Sequence, residues 1–443
     1  MRKLSLPSWI PTLIVGLIVF FGVLYARDNG HISAYRYQIF QIAVIASISA
    51  LGLNLIYGFN GQFSLGHIGF YAIGAYSSAL ITKDYQMAWS GSRAGALAWM
   101  MAGQFGIIAG LALIRMLRLD RLRRKITQST SSYLKEHETR MVCLLPVLFI
   151  VAAVIGLGVV ATLGAHALLD PGLNALVEGL SDNVARNVIF VLAILNGGTM
   201  AALVAYLVGL PLLRLGSDYF GIATLGFAIM VFTGLQNSDM VIDTMRGARG
   251  MVAIPTWTTW GWVMATFALL VFLMRNLLRS SHGRAMISVR EDEIAAQSMG
   301  VDVNQLKTMA FTVGGLFAGV GGALYAHLYG FLHPSTFNII RGFDPLIIIV
   351  LGGLGSMTGT ILAGVGVVVL IEELRVILPQ GFEDWRFVIY PIILLLVMLL
   401  RSEGLMGTRE WGWFRTPVPP ERDIPLSTRQ PATPATAASS EDV

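Results

Sequence analysis

The residues with most to offer chemically stand together in one stretch, Arg275 to Lys307, RNLLRSSHGRAMISVREDEIAAQSMGVDVNQLK, set between two strongly apolar segments. Arg275, Arg279, Arg284, Arg290 and Lys307 lie there beside Glu291, Asp292, Glu293 and Asp302. At membrane depth each such charge would cost roughly 2.5–3.5 kcal/mol, so the stretch belongs in water. Its acids are flanked by bases and solvated, and the role open to it is contact with a soluble partner. Ser288 and Glu291 have the spacing of a capping box, and Gly300 suits a left-handed C-cap. Together they predict a short helix from about Val289 to Met299.

A second set of polar residues, Asn54, Asn60, Gln62, Ser64 and His67, is scattered through ALGLNLIYGFNGQFSLGHIGFYAIGAYSSAL, residues 50–80. No formal charge stands in this stretch, and its glycines let helices approach closely, so the polar groups either line a path through a bundle or bind its helices together. The candidate pathway or gate is Asn60, Gly61, Gln62, Ser64, Gly66 and His67. His67 has no His, Asp or Glu at ligand spacing, so a hydrogen-bonded packing role is expected and a metal site is not. In VGLPLLRLGSDYFGIATLGF, residues 208–227, Pro211, Gly216 and Gly221 punctuate a sharp reversal, with Arg214 and Asp218 placed to pair at i and i+4.

Enzymatic motifs are missing from the sequence. The only Lys followed by Ser or Thr is Lys307, and Leu306 precedes it where a P-loop needs Gly. No H-E-x-x-H, no G-x-S-x-G and no close carboxylate pair inside a span appears, so no catalytic residue is assigned. Ion-coupled transport usually uses an intramembrane Asp, Glu or Lys, and the apolar cores have almost none. Sodium held by carbonyls at broken helices is the form of that class left open. The remaining reading is a pore-forming subunit energised from outside through its cytosolic loop.

The elements that must position these residues are membrane helices. The 443 residues are 55% hydrophobic and 13% charged, with a mean hydropathy of +0.68, against about 25% charged in soluble domains. Apolar runs near twenty residues match a hydrocarbon core of roughly 30 Å. Eleven are read, roughly 10–25, 39–57, 65–82, 94–114, 141–165, 187–210, 219–235, 257–274, 308–331, 345–371 and 386–400. The first is expected to be an uncleaved span. The single cysteine, Cys143, excludes an intrachain disulfide. With the N-terminus inside, alternation places 115–140, 211–218 and 275–307 on one side, and the basic character of the first of these loops marks that side as cytoplasmic. Segment 345–371, broken at Gly352-Gly353-Leu354-Gly355-Ser356, is expected to be two half-helices joined by a buried re-entrant turn, which restores the parity of the spans. The expected organisation is a transmembrane domain over 1–401 and a polar, disordered tail over 402–443.

The chain also resembles LivM-type permeases of branched-chain amino acid ABC transporters from about Ile39 to Arg401. The resemblance rests on ALGLNLIYGFNGQFSLGHIGFYAIGAY, LRLGSDYFGIATLGF, GRAMISVREDEIAAQSMGVDVNQLKTMAF followed by AGVGGALYAHLYGF, and IVLGGLGSMTGTILAG. It implies an all-α polytopic permease of about 10–11 transmembrane helices with discontinuous or re-entrant segments, in the bacterial inner membrane. The implied partners are a LivH-like second permease subunit, two ABC ATPase subunits, an extracytoplasmic solute-binding protein and the surrounding lipid, with no nucleic acid. ATP and Mg would be used by those partners, and this chain would bind no cofactor. The 275–307 loop is similar to the E-A-A-x-x-x-G docking element, with Ala295, Ala296 and Gly300 matching, Ile294 in the Glu place and Glu293 one residue early. Arg284, Arg290, Glu293, Ala295, Ala296 and Gly300 are the implied ATPase contacts. In the outer loop, Asp243 to Met251 departs from the family's Gly-rich pattern by adding Arg246 and Arg249. Urea or short amides, carried by sister permeases, stay open as solutes.

Overall fold

The computed structural model describes residues 9–116, 136–215, 217–378, 385–401, 403–407 and 410–411. They form α1 (Trp9–Asp28), α2 (Ala34–Leu53), α3 (His67–Met87), α4 (Gly95–Met116), α5 (Glu136–Glu178), α6 (Asp182–Leu212) and α7 (Ser217–Gln236). After several short turns follow α8 (Trp260–Arg279), α9 (Ser281–Glu291), α10 (Glu293–Ser298), α11 (Val303–Tyr329), α12 (Ile339–Gly352), α13 (Met357–Ile377) and α14 (Arg386–Leu400). No strand forms among the described residues, where Met251 and Leu332 make an isolated bridge. Seven of the described helices, α2, α4, α5, α6, α7, α8 and α11, contain segments long and apolar enough to cross a membrane. The protein is an all-α, multi-pass membrane protein.

Helix α11 is the centre of the bundle and touches α2, α3 and α6. In lipid no hydrophobic effect draws apolar helices together, so close backbone approach and dispersion must hold them. The sequence supplies this through glycines. Gly314 faces Gly52, Gly319 faces both Gly74 and Gly197, and Gly322 lies on the Tyr71 carbonyl. Where the helices diverge, aromatic rings fill the gap. Phe70 lies 4.8 Å from Phe227 and 5.3 Å from Phe311, between ring centroids.

Helices α12 and α13 settle the parity of the last spans. Asn54, at the C-terminal end of α2, bonds to Ser356 and Thr360 at the start of α13, and Arg36, near the other end of α2, pairs with Glu373 at 2.9 Å. The two helices are therefore antiparallel, and α13 runs back to the end of the bundle where α2 starts. The expected reversal is present, but the turn at 353–356 does not lie at membrane mid-depth. It sits against Gly58 and Arg290, level with the charged island, because Gly353 and Gly355, at φ of +111° and +82°, allow a turn tight enough to bring Gly352 onto Gly359.

Two other expectations are corrected. The helix expected over 289–299 is broken at Asp292, whose side chain caps a new helix by accepting from the Ile294 and Ala295 amides, both at 2.9 Å. Ser288 caps nothing, since it lies inside α9 with its hydroxyl on the Ala285 carbonyl at 2.8 Å. A nearby carboxylate one residue before the turn outcompetes a serine that α9 has already absorbed. The tail expected from 402 starts with packed residues. The Leu405 amide donates to Leu351 O at 2.7 Å, and the Glu410 carboxylate accepts from the Met357 and Thr358 amides at the N-terminus of α13. An acidic side chain there offsets the helix dipole. Residues 412–443, most of the 115–140 loop and the Asp218 side chain lie outside the described residues.

Candidate functional site

Three segments distant in sequence meet at one end of the bundle. The chain leaves α2 through a π-helical turn, Asn54–Phe59, and passes through Asn60 to Gly66 before α3 starts. Loop 213–215 follows α6, and α9 and α10 arrive from the charged island. Asn60, Gly61, Gln62, Leu213, Leu215, Phe220, Val289, Arg290, Glu293 and Lys307 together line a cavity of about 200 Å³. This places 58–62, 213–215 and 289–307 on one side of the membrane, as alternation requires.

Arg290 is the joint. Its Nη1 donates to Gly58 O at 2.6 Å, its side chain covers Gly61, and its guanidinium reaches Gly355. Gly61 has φ of +76° and takes the turn under Arg290, where a side chain would be strained. Behind it, Asn54 is fully buried. The Asn54 amide donates to Ser356 O at 3.0 Å and Thr360 Oγ1 at 2.8 Å, while its oxygen accepts from the Gly355 amide at 3.0 Å. One arginine and one asparagine thus connect α9 to the end of α2 and the start of α13.

The six pathway residues divide into two groups. Asn60, Gly61 and Gln62 line the cavity, and the buried Asn60 amide and Gln62 Oε1 have no hydrogen-bond partner among the described residues. Ser64, Gly66 and His67 turn inward. Gly66 packs on the Thr224 carbonyl, Ser64 Oγ accepts from the Gly66 amide at 3.4 Å, and His67 Nε2 bonds to Ser49 O at 2.8 Å. Among the described residues no group of three or more His, Cys, Asp or Glu side chains comes together to hold a metal.

The residues assigned to the docking loop are likewise not equivalent. Arg284 bonds back to Arg279 O at 2.9 Å, and Glu293 pairs with Lys307 at 2.7 Å, tying α10 to α11. Ala296 is buried against this chain, while Ala295 is exposed. The Gly300 and Val301 amides bond to Gln297 O and Ala296 O at 3.0 and 3.2 Å, closing α10 with Gly300 at φ of +83°. Two large apolar residues are turned outward on α10 and at its end: Ile294 is 78% exposed and Met299, which follows the helix, 85%. Neither carried weight in the sequence, where Ile294 counted only as a departure from a motif. The signal was there, in two large apolar residues on an otherwise polar, water-exposed turn.

Residues 35–130 and 141–398 match the family model described as branched-chain amino acid transport system / permease component. The chain belongs to that family. Among relatives of this permease is the high-affinity branched-chain amino acid transport system permease protein LivM of Escherichia coli, 32% identical over 47% of this chain and 55% of the relative. A probable branched-chain amino acid transport permease protein LivM of Methanocaldococcus jannaschii is 26% identical over 49% of this chain and 68% of the relative. The permease protein LivH of Salmonella typhimurium is 24% identical over 42% of this chain and 58% of the relative. The chain thus spans little more than half the length of the E. coli LivM relative. No solved structure matches it.

Proposed function

We propose that this permease is one of two different membrane subunits of an ATP-driven ABC importer of branched-chain or related amino acids in the bacterial inner membrane. The second subunit is LivH-like, two soluble ABC ATPases bind on the cytosolic side, and an extracytoplasmic protein delivers the solute. ATP and Mg are used by the ATPases, and this chain binds no cofactor of its own. The observation that supports this reading best is α10, a capped helix in water that shows Ile294 and Met299 to solvent and is wired through α9 and Arg290 to α2 and α13. Exposed apolar side chains on a rigid turn suit insertion into a groove of a partner. When the ATPases close, α10 moves with them, and α2 and α13, joined at Arg290, follow.

The test is uptake by proteoliposomes holding the complete complex with its binding protein, offered leucine, glutamate or urea with and without ATP. Leucine uptake that needs both ATP and the ATPase subunits is the expected result. Uptake that persists without any ATPase would sink the proposal in favour of ion coupling. ATP-driven uptake of urea alone would make this an amide importer.

A further inference from the structure

The helix α12 starts ahead of the apolar segment read from residue 345 and so takes in two charges, Arg341 and Asp344. It starts at Ile339, capped by Asn338 on the Arg341 amide, and ends at Gly352 beside the cytosolic turn. At a rise of 1.5 Å per residue, Asp344 lies about 12 Å and Arg341 about 16 Å from that end. Both are thus inside a hydrocarbon layer of roughly 30 Å. Gly342, Pro345, Ile348 and Ile349 face the bundle and are buried. Arg341 and Asp344 face away from it, with side chains 57% and 35% exposed and Nη1 3.6 Å from Oδ2.

Charges turned to lipid at this depth are strongly disfavoured, and intramembrane ionisable residues face a bundle interior or a watery path. This chain leaves Arg341 largely uncovered and covers Asp344 only in part, so some of their surroundings come from outside it. The neighbourhood is amphipathic. Tyr71, Tyr325 and Tyr329 form a cluster in this chain, with the Tyr325 ring centroid 5.8 Å from Tyr71 and 4.6 Å from Tyr329, and Tyr35 donates to Glu372 at 2.8 Å. A separation of 3.6 Å is longer than a charge-assisted hydrogen bond, so the pair is loose enough to part around a ligand with both signs of charge. Discontinuous helices with polar groups in mid-membrane are the usual site builders of transporters.

We propose that Arg341 and Asp344 line the translocation path on the face this chain turns to the second permease subunit, and contact the carboxylate and ammonium of a passing zwitterionic amino acid. The inference deepens the importer reading and rests on it for the solute.

Two measurements on the complete complex in proteoliposomes test it. In a Cys143→Ser background, Arg341→Cys and Asp344→Cys are labelled from outside with a membrane-impermeant thiol reagent, with Ile18→Cys, exposed on α1, as the control. Labelling at 341 and 344 but not at 18, slowed by saturating leucine, is expected. No labelling at either position would put the pair in lipid or in a sealed protein contact and overturn the proposal. In uptake, Asp344→Asn and Arg341→Gln should raise KM for leucine about tenfold or more, the effect of losing one hydrogen bond to a charged group, with Arg341→Lys retaining more of the affinity. Assembled variants with wild-type KM would also overturn it. If positions 341 and 344 are labelled but the wild type carries no amino acid, the importer reading fails, and the contact with solute fails with it. If the wild type transports leucine and neither position is labelled, only the pair's role is lost.

Discussion

Replacing Ile294 and Met299 together by aspartate should uncouple the permease without unfolding it. The two side chains are 78% and 85% exposed, so this chain loses almost no buried contact. Helix α10 keeps its Asp292 cap, its buried Ala296 and its Gly300 closure. Full burial of an Ile or Met in a partner's groove contributes about 1.5–3 kcal/mol each. The ordering of both surfaces offsets much of that, leaving about 2 kcal/mol for the pair, or roughly thirtyfold in affinity. The assay is binding of the ATPase subunits to the permease pair held in nanodiscs, followed by solute-stimulated ATP hydrolysis. The expected outcome is affinity weakened about thirtyfold, stimulation lost and an unchanged thermal midpoint for the permease pair. Wild-type affinity in the double variant would refute the argument that α10 docks through its apolar tip.

Other substitutions probe the wiring behind α10. Arg290→Met removes the 2.6 Å bond to Gly58 O, worth about 1 kcal/mol after allowing for partial exposure; solute moved per ATP hydrolysed should fall while hydrolysis itself continues. Asn54→Leu leaves the Gly355 amide without its side-chain acceptor and removes one of the donors to the Ser356 carbonyl, which keeps Thr360. It should destabilise the bundle by about 2–4 kcal/mol, read as a lower unfolding midpoint in detergent. Gly319→Ala would set a methyl 2.5 Å from the Ala201 Cβ and 2.6 Å from Gly197 O, an overpacking of about 1–3 kcal/mol in the same measurement. Gly226→Ala, which meets nothing within 4 Å, should leave the midpoint unchanged.

Most of the helices were legible in the chain because a membrane span is a one-dimensional signal, a run of apolar residues about as long as the lipid is thick. The stretch that meets water was legible for the same reason: charges such as those of 275–307 cannot enter lipid wherever the chain folds. Gly300 could be read as a helix stop because its role is local. Asp292 was passed over for Ser288 since several residues there can cap, and only the placement of Gly283, Met286 and Val289 on the buried face of α9 decides which one does.

What the sequence by itself determined was therefore the class of molecule, the order of its spans and the stretch that meets water. The tertiary structure alone decided that the glycine-rich turn after α2 and the charged island are one site, joined by Arg290 to a carbonyl 232 residues away. It also decided which of Ala295, Ala296 and Ile294 faces outward, and that Arg341 and Asp344 belong to α12. Contacts between distant segments and the rotation of a helix about its axis depend on packing among many residues at once, and no local run of sequence carries that information.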